Sequence, residues 1–135
     1  MATADQINQF LKSDFPQCRT RVMSIQAQFS RVHHKVEQSD LRPGGTVSGP
    51  VMFAVADLAL YAAILGEKGL IPFAVTTNIN INFLNKPTAD KDLVADCRLI
   101  KVGKKLVVGD VFIFSEGSSI PVAHATGTYS IPPSE

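Results

Sequence analysis

The chain has 135 residues, 45% hydrophobic and 19% charged, which suits one folded domain with a sizeable core and excludes a disordered segment. Thirteen Lys and Arg against twelve Asp and Glu leave a formal charge of +1. No broad cationic surface therefore favours nucleic acid or an anionic membrane as partner.

In chain order, Thr3 to Asp14 predicts a short amphipathic helix. Ile7, Phe10 and Leu11 fall at helical spacing, Thr3 and Gln6 stand as a capping box, and Pro16 ends it. The first fifteen residues lack the basic start, apolar run and cleavage site of a secretory signal, so a cytoplasmic protein is expected. Cys18 and Cys97 lie far apart with no metal or redox spacing, as free thiols in a reducing compartment do. Arg21 to Gln38 alternates in places and predicts one or two strands. A loop rich in glycine and proline follows, from Leu41 to Pro50.

Val51 to Leu65 is apolar throughout except for Asp57. It is too short, and too interrupted by a charge, for a membrane span of about 20 residues. A buried helix of about 22 Å is expected, with Pro50 in its first turn and Gly66 and Gly69 at its exit. Being apolar on every face, it must be wrapped. Phe73 to Phe83 alternates as a half-buried strand: Phe73, Val75, Ile79, Ile81 and Phe83 on one face, Thr76, Asn78, Asn80 and Asn82 on the other. Leu93 to Val102, Leu106 to Phe114 and Ile120 to Ile131 predict three more strands, with short turns at 103–105 and 116–118. Short turns require antiparallel neighbours. One helix against a curved antiparallel sheet, an α+β architecture in a single domain over 1–135, is the expected fold.

Asp57 leads the candidates for chemistry. A lone carboxylate amid apolar neighbours is costly to bury without a partner or a role, and Phe53, Ala54, Leu60 and Tyr61, one turn away, offer no cation. It is either a general base or nucleophile at a pocket, or an Asp facing a water-filled gap or capping another element. The glycines before Ser48-Gly49-Pro50 can turn backbone N–H groups outward at a helix N-terminus, where an anion or developing oxyanion is favoured; a plain tight turn would look the same. Arg98, Lys101, Lys104 and Lys105 cluster about one turn, as a phosphate-reading patch or a solvated hairpin. His33, His34 and His124 have no partner at metal-ligand spacing, so structural or surface roles and no metal are expected.

Taken together, Gly45-Thr46-Val47-Ser48-Gly49-Pro50, Phe53-Ala54-Val55-Ala56-Asp57 and the run Val75 to Leu84 resemble the PaaI-like hotdog thioesterases. The resemblance continues through Val102 to Leu106 and Ala123 to Tyr129, covering roughly residues 40 to 131. It implies a hotdog fold and hydrolysis of acyl-CoA thioesters without metal or bound cofactor. By position, Asp57 would be the catalytic carboxylate, Gly49 the backbone donor to the carbonyl, and Thr76 the assisting hydroxyl. Two positions depart from the family. Ser48 stands in the catalytic entry where a histidine is usual, and Arg42 stands where an asparagine is common. Serine cannot titrate near neutrality, whereas Arg42 could polarise the carbonyl, pair with a substrate carboxylate or salt-bridge Asp57.

The resemblance also implies that Lys104 and Lys105 read coenzyme A phosphates. A homodimer, or a homotetramer of two dimers, is expected because an exposed sheet edge invites pairing. A non-catalytic acyl-CoA binder on the same fold is the alternative function, and a hotdog dehydratase or hydratase a more distant one, because fold alone separates none of them.

Overall fold

The computed structural model describes residues 1–133. Helix α1 runs over Ala4–Asp14. Its capping box is present in both directions: the Gln6 N–H donates to Thr3 Oγ1 at 3.2 Å and the Thr3 N–H to Gln6 Oε1 at 3.0 Å. Ile7 and Leu11 are buried, whereas Phe10 is only partly covered. Strands β1 (Thr20–Gln26) and β2 (Phe29–His34) form an antiparallel hairpin. The Asn8 amide pairs with the N–H and carbonyl of Val22 at 2.9 Å each, so α1 shields part of this outer strand.

The glycine-rich loop contains more structure than its composition suggests. A single 3₁₀ turn over Gln38–Asp40 leads into a small hairpin of β3 (Leu41–Arg42) and β4 (Thr46–Val47), with Gly44 and Gly45 at positive φ in its tip. Helix α2 then spans Gly49–Lys68, five residues beyond a fifteen-residue expectation. It is long and apolar enough to cross a membrane, yet most of it is buried inside the protein as the core helix. Gly69 closes it at φ +94°, while Gly66, expected at the exit, lies within the helix. A Cβ at Gly66 would fall 2.7 Å from Ile25 Cγ2, so that glycine permits close packing instead. Nor is α2 wrapped on every side, since Phe53 and Ala54 remain exposed.

The long strands are β5 (Val75–Phe83), β6 (Leu93–Val102), β7 (Leu106–Ser115) and β8 (Pro121–Ser130). One six-stranded sheet has the order β1-β2-β6-β7-β8-β5, every pairing antiparallel. It curves around α2 in the hotdog arrangement. Alternate residues face the helix: Leu93, Ala95, Cys97 and Leu99 from β6, Val107, Val111 and Ile113 from β7, and Ala123, Ala125 and Tyr129 from β8. Burial of this kind contributes roughly 1.5–3 kcal/mol per large side chain.

Where β7 and β8 run side by side, Gly109 pairs with Gly127, and Leu60 of α2 fills the gap they leave. A Cβ at Gly127 would sit 2.4 Å from Leu60 Cδ1, and one at Gly109 would sit 2.8 Å from Leu60 Cδ2.

β5 departs from the alternation in its sequence. It is the edge of the sheet, and Val75 and Phe83 are about half exposed rather than packed on the core. A bulge between Thr76 and Asn78 also breaks its register: Thr76 pairs with Tyr129 but Asn78 with Thr128. Thr76 therefore shares the helix-facing side with Tyr129, while Asn78, Asn80 and Asn82 face away.

Candidate active site

Asp57 lies midway along α2, half-buried, on the side facing the start of β5 and the end of β8. Its Oδ1 accepts the hydroxyl protons of Thr76 and Tyr129, each at 2.7 Å. Oδ2 accepts no bond among the described residues, so the carboxylate is fixed by one oxygen and open at the other. The Tyr129 oxygen also lies 3.3 Å from the Asp57 carbonyl, and its ring stacks on Tyr61 with centroids 5.9 Å apart. Burial pushes the Tyr129 phenol well above the usual tyrosine range, and the Asp57 charge pushes it further. Tyr129 is consequently a proton donor at any workable pH.

Asp57, Tyr61 and Tyr129 border a cavity of about 270 Å³. Val51, Ala54, Leu58 and Tyr61 supply an apolar and aromatic wall, and Arg19, Thr20, His34 and Asp40 a polar one. A concave, mostly apolar site with a few convergent polar groups is the usual form of a small-molecule site.

Over residues 44–121 the sequence matches the thioesterase superfamily. It is 30% identical over 134 residues to a protein of Saccharolobus solfataricus named as an esterase, covering 97% of this chain and 87% of that one. The chain belongs to the thioesterase superfamily. Among solved structures, one from Silicibacter sp. TM1040 titled as a thioesterase is 43% identical, with a TM-score of 0.88 over 96% of this chain and 92% of that one. The zebrafish thioesterase superfamily member 2 shares the fold at 20% identity, with a TM-score of 0.86 over 98% and 100% of the two chains. The Escherichia coli PaaI protein from the phenylacetic acid degradation operon shares it at 24% identity, with a TM-score of 0.76 over 95% and 92%. The PaaI-like hotdog fold is thus common to all three.

Within this thioesterase-superfamily chain the candidate residues fall into four groups. Asp57 and Thr76 meet. Ser48 and Gly49 sit at the helix start, where Ser48 is the N-cap and its Oγ accepts the Val51 N–H at 3.4 Å. Gly49 packs under the Phe83 ring, since a Cβ there would come within 3.1 Å of Phe83 Cζ. Arg42, on β3, is exposed and makes no ion pair among the described residues, so it does not salt-bridge Asp57. Lys104 and Lys105 lie in the β6–β7 turn at the other end of α2, where the Lys68 ammonium donates to the Gly103 carbonyl at 3.0 Å. These three lysines border a second hollow of about 390 Å³ with Ile71, Phe73 and Ile131. Arg98 does not join them: its guanidinium lies over the Phe29 ring, 5.1 Å from the centroid.

Each histidine is bonded to a carboxylate from another segment. His34 Nε2 lies 3.0 Å from Asp40, His124 Nε2 3.0 Å from Asp110, and His33 Nε2 3.1 Å from Asp92 with Glu116 at 3.9 Å. Tyr129 is the residue of this candidate site that sequence reasoning missed. Its signal was present: it ends the helix-facing series Ala123, Ala125, Gly127 with a hydroxyl that must find a partner once buried.

Proposed function

We propose that the protein is an acyl-CoA thioesterase, cleaving a coenzyme A thioester to the free acid and CoA. The observation that supports this most directly is Asp57, which lines the cavity and is held through Oδ1 by Thr76 and Tyr129 while Oδ2 accepts no bond among the described residues. In this reading Oδ2 takes a proton from water as the water oxygen attacks the thioester carbonyl. The tetrahedral intermediate then collapses, the C–S bond breaks, and CoA leaves as its thiol with that proton. Direct attack by Asp57, giving an anhydride that water then opens, uses the same atoms. Water is the only co-reactant.

The oxyanion needs a donor about 3 Å away. Gly49 is about 12 Å from Asp57 along the helix at 1.5 Å per residue, too far to serve the Asp57 of its own chain. The reading therefore pairs each Asp57 with the Gly49 entry of a second copy, in a homodimer or a homotetramer of two dimers. The exposed β5 edge, with Val75, Phe83 and Leu84 about half accessible, favours such pairing. Light scattering at micromolar concentration is expected to return twice the 14.6 kDa chain mass or more; a monomer would remove the shared site.

Lys68 lies about 16 Å along α2 from Asp57, a span that the extended pantetheine arm of coenzyme A can cross, and Lys104 and Lys105 border the same hollow as Lys68. Changing Lys104 and Lys105 together to Ala should raise KM with little change in kcat, and added salt should weaken wild-type binding. A wild-type KM in the double variant would return these side chains to solvent. Arg42 is free to meet a carboxylate on the acyl group or the carbonyl itself. The deciding assay is thiol release from a panel of neutral and dicarboxylic CoA esters. Activity on none of them would favour a binding role, and a preference for dicarboxylic esters lost in Arg42→Asn would assign that arginine. Free, unbridged Cys18 and Cys97 accord with a cytoplasmic location.

A further inference from the structure

Asp40 is almost wholly buried although it is charged, at 2% exposure. Its carboxylate collects three donors: the Glu37 N–H at 3.0 Å, His34 Nε2 at 3.0 Å and Arg19 Nη2. On its other side the His34 ring is held by the Thr20 hydroxyl, which lies 3.0 Å from Nδ1. Arg19 reaches Glu37 as well, at 3.0 Å. Burial alone would raise the Asp40 carboxyl, but the Glu37 N–H, His34 and Arg19 outweigh it and hold the group below the usual carboxylate range. Asp40 is thus ionised at neutral pH and tied to β1, β2 and the turn that precedes β3.

The backbone of the same residue does something different. Its carbonyl accepts the Ser48 N–H at 2.9 Å, closing the β3–β4 hairpin immediately before Gly49. The hairpin's other ties to the body among the described residues include the buried Val47, Leu41 packed partly against the core, and a bridge from Thr46 to Thr88. Asp40 therefore joins the polar wall of the Asp57 cavity to the hairpin that presents Arg42 and the start of α2.

We propose that Asp40 is a positioning residue for the helix entry: anchored by His34 and Arg19, it fixes the hairpin that sets where Arg42 and the Gly49 N–H stand. Its catalytic consequence rests on the thioesterase reading, whereas the anchoring does not. Nothing in the sequence singles Asp40 out, because its partners come from positions 6 and 21 residues away and meet only in the fold.

The test is Asp40→Asn in the full chain, with steady-state thiol release and peptide-resolved amide hydrogen exchange measured side by side. Asparagine keeps the size but loses the charge that Arg19 and His34 bind. Exchange across residues 41–49 should quicken about ten- to a hundredfold while β6 and β7 stay protected. kcat should fall about tenfold with KM within about twofold, since an oxyanion donor acts on the transition state. If Asp40→Asn loosens the whole chain, Arg19→Gln, at the exposed side of the network, should still quicken the hairpin selectively. Wild-type exchange at 41–49 in both variants would overturn the anchoring. Quickened exchange with unchanged kcat would leave a structural tie only and overturn the positioning role. Wild-type protein inactive on every thioester would overturn the thioesterase reading instead, and the exchange arm would still decide the anchor.

Discussion

Asp57→Asn is expected to reduce turnover by more than about a hundredfold while leaving the fold and substrate affinity in place. The substitution is close to a single-atom test. The amide oxygen can still accept from Thr76 and Tyr129, as Oδ1 does at 2.7 Å in each case. What changes is the second position, where an NH₂ replaces the open Oδ2 and can neither take a proton from water nor attack a carbonyl. Helix α2 should remain packed, because Asp57 contributes no ion pair to it among the described residues. kcat from thiol release, with KM and circular dichroism as controls, checks the expectation. Turnover at the wild-type level would move the chemistry to another group.

Tyr129→Phe is expected to be the next largest loss, about tenfold or more in kcat/KM. A hydrogen bond to a charged partner is worth roughly 1.5–3 kcal/mol, and burial leaves no water ready to replace this one. Without it Asp57 retains one of its two donors and can swing away from the productive direction. Thr76→Val removes the other donor at an exposed position, where solvent can substitute, so its effect should be smaller, a few-fold. The reverse order would mean that Thr76 acts on the attacking water rather than on Asp57. Tyr129 also has a signature in stability. Its raised phenol pKa means that its contribution is complete below the ordinary tyrosine value of about 10 and is lost as pH rises beyond it. Wild type should therefore lose stability in that alkaline range more steeply than Tyr129→Phe, as denaturant midpoints across pH would show.

Local signals made most of the fold legible. Thr3 and Gln6 announce the first helix, the apolar run around Asp57 announces the second, and β6 begins and ends at the residues its pattern indicates. The remainder depends on features without a local signature. The β3–β4 hairpin is two residues per strand, too short for periodicity, and hides in a loop composition. β5 reads as half-buried because its alternation is clean, yet burial depends on neighbours, and an edge strand has only one. Thr76 was identified by its position in a family pattern and assigned by alternation to the wrong face. One bulged residue reverses the phase and brings its hydroxyl to Asp57. The Asp40 cluster was invisible for a related reason, since a network assembled from three segments leaves no spacing to recognise.

The gap at Gly109 and Gly127 acts on the chemistry without touching it. Leu60 enters that slot like a key, a contact that resists rotation and sliding of α2. Asp57 stands one turn before Leu60 on the same helix, so the slot sets the angle at which its carboxylate meets Thr76 and Tyr129. The missing side chains of two sheet glycines thus help to seat the helix that carries Asp57. A single methyl at either position would run into the end of the Leu60 side chain and force it to move, disturbing the seat of α2 without altering any residue that lines the cavity.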